Sequence, residues 1–497
     1  MAVKHGVYVY ENDTALSAPI MADSGIMCVV GAAPVWMLDD PAAVTNVPVL
    51  CTSATEAMEK LGFCTDFKDF DLCQTMYITS NIFPVAPVVY INVFDVEAMA
   101  SETLGTYSFL SSAVQTAEEF VVNDNYIIKS TVIVEQPTGT GPDDVVRLVE
   151  NVDYTLSYKS DLSGIIIRPI EGSNFTRGLY GLNVSYNYLK TNHQVTAETI
   201  VGSYNPSTGK ATGAEVIQYV YPKLGVIPSI ILSPGHGHEP AVGIALAAKA
   251  ANINGVFKGI AVLDIDTSQA TTYSQVKTVK DASGYTSPFC YPTWPCFKVG
   301  EYIFSGSAVT AALMSYTDAQ NGDVPARTPS NKLMGVTGTC LADGTEVILT
   351  QDQGTIVNNG GVATAINLNG WRLWGSYTGA YPTTTDVKDM WVPVRRMFNW
   401  QANTFILTYF DRVDDPLNNV LVESIVDSEN IRCAAYAPDR WAGAEIQYLV
   451  SDNPTTDLLA GKIVFRQKIA PYTPAQEIDN ILSYDTSLLA NTVAGLV

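Results

Sequence analysis

Lys462-Ile-Val-Phe-Arg-Gln-Lys-Ile469, then Pro471-Tyr-Thr-Pro474, then Glu477-Ile-Asp-Asn-Ile-Leu-Ser-Tyr484 is the stretch on which the reading of this chain turns. Its first segment places Ile463, Phe465 and Ile469 on one face and Arg466 and Lys468 on the other, which predicts a strand. The prolines predict a turn, and the third segment a second strand carrying Ile478, Ile481, Leu482 and Tyr484. A thin apolar tail follows, with no helix expected over the hairpin. Backbone N–H and C=O groups left open in this way form a template for another chain. At the other end, His5-Gly-Val-Tyr-Val-Tyr10 is a β-prone run with too little around it to form a core alone. Both ends are therefore expected to leave the body and pair with neighbouring copies, through Val7, Tyr8, Val9 and Tyr10 at one end and the hairpin at the other. The product would be a polymer. The small or polar spacers 12–19 and 488–495 are the expected hinges, with Asp13, Ser17 and Asn491 among their residues.

The chain has 497 residues, 47% hydrophobic and 16% charged, which suits a globular protein of several domains. Lys and Arg total 28 against 50 Asp and Glu, a formal net charge of −22. That balance argues against a nucleic-acid or anionic-membrane partner, since either needs a basic surface. No window reaches the ~20 apolar residues of a membrane span. The start, Met-Ala-Val-Lys-His-Gly, has no apolar run of the secretory type, so the chain is expected to be made and kept in a cytoplasm. The eight cysteines are scattered through apolar segments and read as free thiols packed as small hydrophobes.

Working inward, Ile26-Met-Cys-Val-Val30 and Val88-Val-Tyr-Ile-Asn-Val93 read as strands buried on both faces, with helices near 53–61 and 69–83 between them. Strand, helix, strand at this spacing is the parallel α/β signature. From 97 to 199 the helical period vanishes and short alternating segments take over, at 127–134, 145–149, 154–158, 164–169 and 181–188. These predict an all-β insertion. The α/β pattern resumes after 213 with strands at 229–232 and 259–265. Residues 324–385 look irregular apart from a hairpin, 362–368 against 371–375, with Asn369-Gly370 as its turn. Two helices follow, 391–410 and 417–436, the second with Val420, Ile425 and Ile431 on its expected buried stripe. The predicted organisation is a mixed α+β, multidomain α/β protein: an arm (1–22), an α/β domain (23–96 with 200–385), an inserted β domain (97–199), and a C-terminal helix-plus-hairpin domain (386–497).

Motifs for chemistry are sparse. Ser207-Thr-Gly-Lys-Ala-Thr212 lacks the upstream glycine and the following hydroxyl of a P-loop, and no GxGxxG, GxSxG or HExxH occurs. His236-Gly-His238-Glu239 could contribute to a zinc or nickel site, but a third ligand cannot be identified. The plainer reading is a strand-to-helix loop in which Gly235 and Gly237 turn the chain. No catalytic, cofactor-binding or metal residue is assigned.

The pattern resembles the contractile tail sheath family of myophage tails, R-type bacteriocins and contractile injection systems. The residues that carry the resemblance are Gly6–Tyr10, Ile26–Pro34, Pro325-Ala-Arg327, Asn358–Val362, Trp374-Gly-Ser-Tyr-Thr378 (similar to WGxxT), Val394-Arg-Arg-Met-Phe-Asn399, Asp414-Asp-Pro416, Asn453–Asp457 and the 461–477 segment. Trp374, Gly375, Thr378, Arg395, Arg396 and Asp457 are thus family-motif positions. The likeness covers roughly 1–95 and 200–497, and the run around Cys290–Cys296 departs from it. It implies a non-enzymatic subunit that polymerises around a tail tube by exchanging arm strands, contracts, and meets baseplate and tail terminator proteins. No nucleic acid, membrane or cofactor is implied. It also implies assembly in a bacterial cytoplasm. Arg395 and Arg396 could face the tube, find a buried acidic partner, or simply start a solvated helix. Two other classes stay open: an α/β metal-dependent hydrolase using His236, His238 and Glu239, and another self-assembling shell protein.

Overall fold

The computed structural model describes residues 23–139, 144–159, 161–177 and 180–495. The expected strand at Val7–Tyr10 and the hinge positions Asp13 and Ser17 lie outside them. An uninterrupted apolar run suits a strand covered on both faces, and β1 (Met27–Gly31) is buried along its whole length. The chain then forms an edge strand β2 (Pro48–Cys51), α1 (Ala54–Leu61), α2 (Leu72–Asn81) and β3 (Val88–Asn92). Ser53 caps α1 by accepting from the Glu56 N–H at 3.1 Å, and Gly62, at φ 77°, lets the chain turn away.

The next segment builds seven strands: β4 (Gly105–Phe109), β5 (Phe120–Val122), β6 (Ile133–Pro137), β7 (Val145–Leu148), β8 (Tyr154–Tyr158), β9 (Ile165–Pro169) and β10 (Leu182–Tyr186). They pair as two antiparallel sheets, β4-β10-β6-β7 and β5-β9-β8. Phe120, Val134, Ile165, Ile167, Leu182 and Val184 help form a core separate from that of the body. Aromatic contacts join the two: Tyr126 and Tyr158 stand edge-on to the buried Trp36, at 5.7 and 5.1 Å between centroids. The sequence reading missed β4 and β5 and set the strand at 127–134 too early, where Lys129–Thr131 makes a 3₁₀ turn.

Back in the body come β11 (Ile230–Leu232), α3 (Pro240–Ala251), β12 (Ile260–Asp264), α4 (Val276–Ala282) and β13 (Cys290–Thr293). The sheet order is β13-β12-β11-β1-β3-β2. Five strands are parallel and only β2 runs against its neighbour. Cys28 sits between Val89 and Ile231 in register. A small antiparallel sheet follows, β14 (Cys296–Val299), β15 (Tyr302–Phe304) and β16 (Gly338–Cys340), with the buried helix α5 (Gly306–Ala319) between its last two strands in sequence. The stretch read as irregular contains a further helix, α6 (Gln351–Asn359), started by a capping box between Thr350 and Gln353. The hairpin is β17 (Thr364–Asn367) with β18 (Trp371–Trp374). Asn369 and Gly370 take φ of 53° and 102° in its turn.

The C-terminal part comprises α7 (Val392–Tyr409), α8 (Asn419–Tyr436), β19 (Trp441–Tyr448), β20 (Phe465–Pro471) and α9 (Thr486–Ala494). Three expectations are corrected here. The partner of β20 is β19, which precedes it, and residues 477–484 belong to no strand. Chain leaving α8 reaches the helix surface first and claims the inner position, so β20 pairs with it. On α8, Ile425 is buried at 6% exposure, but Val420 (72%) and Ile431 (57%) face outward. The inward row is Ile425, Ser428, Glu429, Arg432 and Cys433, which follows helical spacing with polar side chains in it. Asn491 lies within α9, its carbonyl accepting from Gly495 N–H at 3.1 Å, which does not suit a hinge. Among the described residues no helix is long and apolar enough to cross a membrane.

Candidate functional site

In an open α/β sheet the first place to look for a ligand is the crevice at the carboxyl ends of the strands. Here those ends carry Asn92, Ser233, Asp264 and Thr293, but the chain's own groups fill the space. Asn92 accepts from the N–H groups of Ala33 and Phe94 at 2.9 and 3.1 Å. Asp264 accepts from the N–H of Ser307, at 2.7 Å, and so caps the start of α5. Asp71, fully enclosed beside β1, accepts from Ala32 N–H at 2.7 Å and faces His236 Nε2 at 3.4 Å. The other ring nitrogen of His236 meets Glu239 at 2.7 Å. His236 thus clasps the loop after β11 to the start of α2, and among the described residues no group of three His, Cys, Asp or Glu side chains is placed to hold a metal. Burial pushes the Asp71 carboxyl up to about 7, with His236 and backbone N–H groups pulling the other way. All eight cysteines are unpaired thiols, and burial pushes those such as Cys290 up to about 12.

The start of α7 is a junction. Arg396 is 4% exposed and donates to Asp318 Oδ1, on α5, at 3.0 Å and to the carbonyl of Ser24 at 2.9 Å. A second donation, to Asp318 Oδ2, makes the pair bidentate. Ser24 Oγ donates to the Asp323 carbonyl at 2.8 Å. Arg395 is also buried; it donates to Asp389 at 2.9 Å and Asn399 at 3.1 Å and lies over the Phe289 ring. Both arginines are buried on acidic partners of their own chain, Asp389 for Arg395 and Asp318 for Arg396. Asn399 and Asn403 donate to the carbonyls of Gly259 and Lys258, at 2.8 and 2.7 Å, and dock α7 on the body. Of the other motif positions, Thr378 reaches this junction through Asp389, and the rest lie elsewhere. Gly375 has φ 133°, and a Cβ there would sit 2.6 Å from Asn358. Thr378, fully buried, donates from its hydroxyl to Asp389 O at 2.5 Å and from its N–H to Met390 O at 2.9 Å. Trp374 ends β18 opposite Thr364. Asp457 pairs with Lys462 at 3.1 Å beside the sheet.

Beyond the junction lies the two-stranded sheet. Trp441, Ile446, Phe465, Gln467 and Ile469 point toward the helices, while Glu445, Arg466 and Lys468 point out. Gln467 donates to Glu429 on α8 at 2.7 Å, and Glu429 also accepts from Gln401 on α7 at 2.6 Å and Arg432 at 2.5 Å. Burial would raise the Glu429 carboxyl, but these donors hold it below the usual range. Sequence reasoning found Phe465 and Ile469 and missed Gln401, Glu429, Arg432 and Gln467, as well as Ser24 and Asp318. Among the described residues neither edge of this sheet is paired. After Pro471 the chain stays extended through Asp485, and among the described residues none of its backbone groups at 472–484 bonds to the body. Ile478, Ile481, Leu482 and Tyr484 are between 78% and 91% exposed. Ile463 is half-buried just before β20.

No family model matches the chain. It is 23% identical over 503 residues to the tail sheath protein of Burkholderia phage BcepMu, covering 97% of this chain and 96% of that one. It is 24% identical over 312 residues to the tail sheath protein of Escherichia phage P2, 61% of this chain and 74% of that one. The chain is thus similar along nearly its whole length to a phage tail sheath protein. Its fold is also similar to that of solved contractile sheaths. It is similar to the PVC sheath of an extracellular contractile injection system in the contracted state, with a TM-score of 0.56, 12% identity, and 98% and 99% of the two chains covered. The helical sheath of the anti-feeding prophage in the contracted state gives a TM-score of 0.55 at 13% identity, covering 98% and 100%.

Two predictions test the internal geometry of this chain. Replacing Arg396 with Met leaves Asp318 buried without its partner and should cost about 3–5 kcal/mol in denaturant unfolding, whereas Arg396→Met with Asp318→Leu should cost far less. Asp71 holds its proton in the folded protein at pH values where the unfolded chain has lost it. Its contribution to stability is therefore complete below about pH 4 and lost as pH rises through about 7. Asp71→Asn, which keeps the acceptor for Ala32, should flatten that slope by on the order of 2–4 kcal/mol between pH 4 and 8, read from urea midpoints.

Proposed function

We propose that this chain is the repeating structural subunit of a contractile tail sheath, polymerising helically around a tail tube by strand exchange and contracting to drive the tube through a target envelope. The observation that carries this reading is the 472–485 segment, which forms no strand and presents large apolar side chains to water, on a chain whose inner sheet has both edges unpaired among the described residues. Ordered backbone without hydrogen-bond partners and exposed Ile, Leu and Tyr are costly unless another chain covers them. A segment from a neighbouring copy supplies both the ladder and the cover. The run at Val7–Tyr10 is assigned the same role at the second edge.

Contacts of this kind are head-to-tail and do not close, so they build a helix of subunits. An extended connector of ~10 residues reaches about 33 Å, which limits how far linked bodies separate while they rotate. The extended sheath is then a trapped state, and new contacts between bodies release the energy of contraction. In this reading the tube lies against the inner helices, where Phe410, Val413 and Val420 are 66–72% exposed. The lattice ends meet the baseplate and terminator, and assembly takes place in the bacterial cytoplasm. The role is structural and needs no cofactor.

Negative-stain microscopy of the purified protein should show tubes. Removing residues 472–497, or separately 1–12, should leave a folded, monomeric body. Regular tubes from both shortened forms would refute strand exchange.

A further inference from the structure

Two of the eight free thiols face each other across a sheet of the body. Cys296 on β14 and Cys340 on β16 are direct partners in an antiparallel register that continues through Phe297 with Thr339 and Lys298 with Gly338. Wide and narrow pairs alternate along such a ladder, so pairs two residues apart are of the same kind. The spacing at 298 and 338 is therefore also the spacing at 296 and 340. A Cβ placed on Gly338 would stand 3.9 Å from the Lys298 Cβ. That falls inside the range of about 3.5–4.5 Å that a disulfide spans between its Cβ atoms.

The surroundings give a reagent one way in. Alternation puts the side chains of 296 and 298 on one face, where Lys298 is exposed, and Phe297 on the other, where it is fully buried. Cys296 is half-buried, whereas Cys340 is 1% exposed and its backbone is bridged by Glu346. Burial pushes both thiols above their ordinary range, with the Lys298 ammonium pulling Cys340 back. Thiolate is thus scarce at neutral pH, and reaction there is slow. Cys64 and Cys73 also touch, but at 4% and 0% exposure they offer no half-open sulfur.

We propose that Cys296 and Cys340 form a disulfide when the protein meets an oxidising medium, and stay as thiols while it is held in a reducing one. A small disulfide such as oxidised glutathione is a sufficient oxidant. The Cys296 thiolate attacks it, forming a mixed disulfide and releasing one small thiolate. The Cys340 thiolate then attacks the Cys296 sulfur and releases the second. Two protein thiols are oxidised, one small disulfide is reduced, and the two protein protons pass to the departing thiolates. The loop closed by the bond contains all of α5, including Asp318, the partner of Arg396. Oxidation therefore staples the element to which α7 is clamped.

The test uses the full chain, purified with reductant and then incubated with oxidised glutathione at about pH 7 and about pH 9. Free thiols are counted by alkylation and peptides mapped by mass spectrometry. The count should fall by two from eight, faster at the higher pH, with Cys296 and Cys340 recovered in one linked pair of peptides. Cys340→Ser should instead hold glutathione on Cys296, and Cys296→Ser should form no link. Oxidation should slow protease cleavage between 296 and 340 by about tenfold or more, in the native chain and in neither variant, and dithiothreitol should reverse it. Eight free thiols at both pH values, or a bond between Cys64 and Cys73 or between two chains in place of this one, overturns the assignment. A linked chain cleaved as fast as the reduced one overturns the staple.

Discussion

A hydrogen-bonded ladder that stops after two strands governs the rest of this molecule. Two strands alone are marginal in water, because half of their backbone groups face no partner and only one face can be covered. Here α7 and α8 cover the inner face, and the Gln467–Glu429–Gln401 bonds fix the sheet to both helices. The helices are fixed in turn by Asn399 and Asn403 on the body. What stays unmet is sideways. Among the described residues the sheet edges stay unpaired, and the 472–485 stretch forms no strand beside them.

Charge is handled by burial in pairs. Arg396 with Asp318, Arg395 with Asp389, and Arg432 with Glu429 all sit at low exposure, and each cation has several oxygens to donate to. Buried pairs of this sort add little net stability, but breaking one is expensive, so they narrow the number of ways in which α7 and α8 can sit.

The parallel sheet was legible because Ile26–Val30 and Val88–Val93 are apolar without interruption, and Asn369-Gly370 announced its own turn through the positive φ both residues tolerate. The inner domain was less legible. Reading α8 by its apolar residues chose Val420 and Ile431, because nothing local says that Glu429 and Arg432 neutralise each other inside while valine and isoleucine face out. The pairing of β20 was misassigned for a related reason. Alternation identifies a strand and its faces, but which neighbour it joins depends on where the preceding helix delivers the chain. At the junction, two adjacent arginines called for counter-charges, yet Asp318, 78 positions away, carries no signal of its role. The helix at Gln351–Asn359 is different: Thr350 and Gln353 form a start signal visible in sequence, outweighed by the surrounding Gly and Asn.

The first described residues and the stretch after β20 both lie against α7. Asp23 and Ser24 lie against Arg396, Asn399 and Trp400, and Tyr472, Thr473 and Pro474 lie by Pro393. The separation of these two places is set by one helix that the Arg396–Asp318 pair clamps to α5, so α7 acts as a crossbar between them.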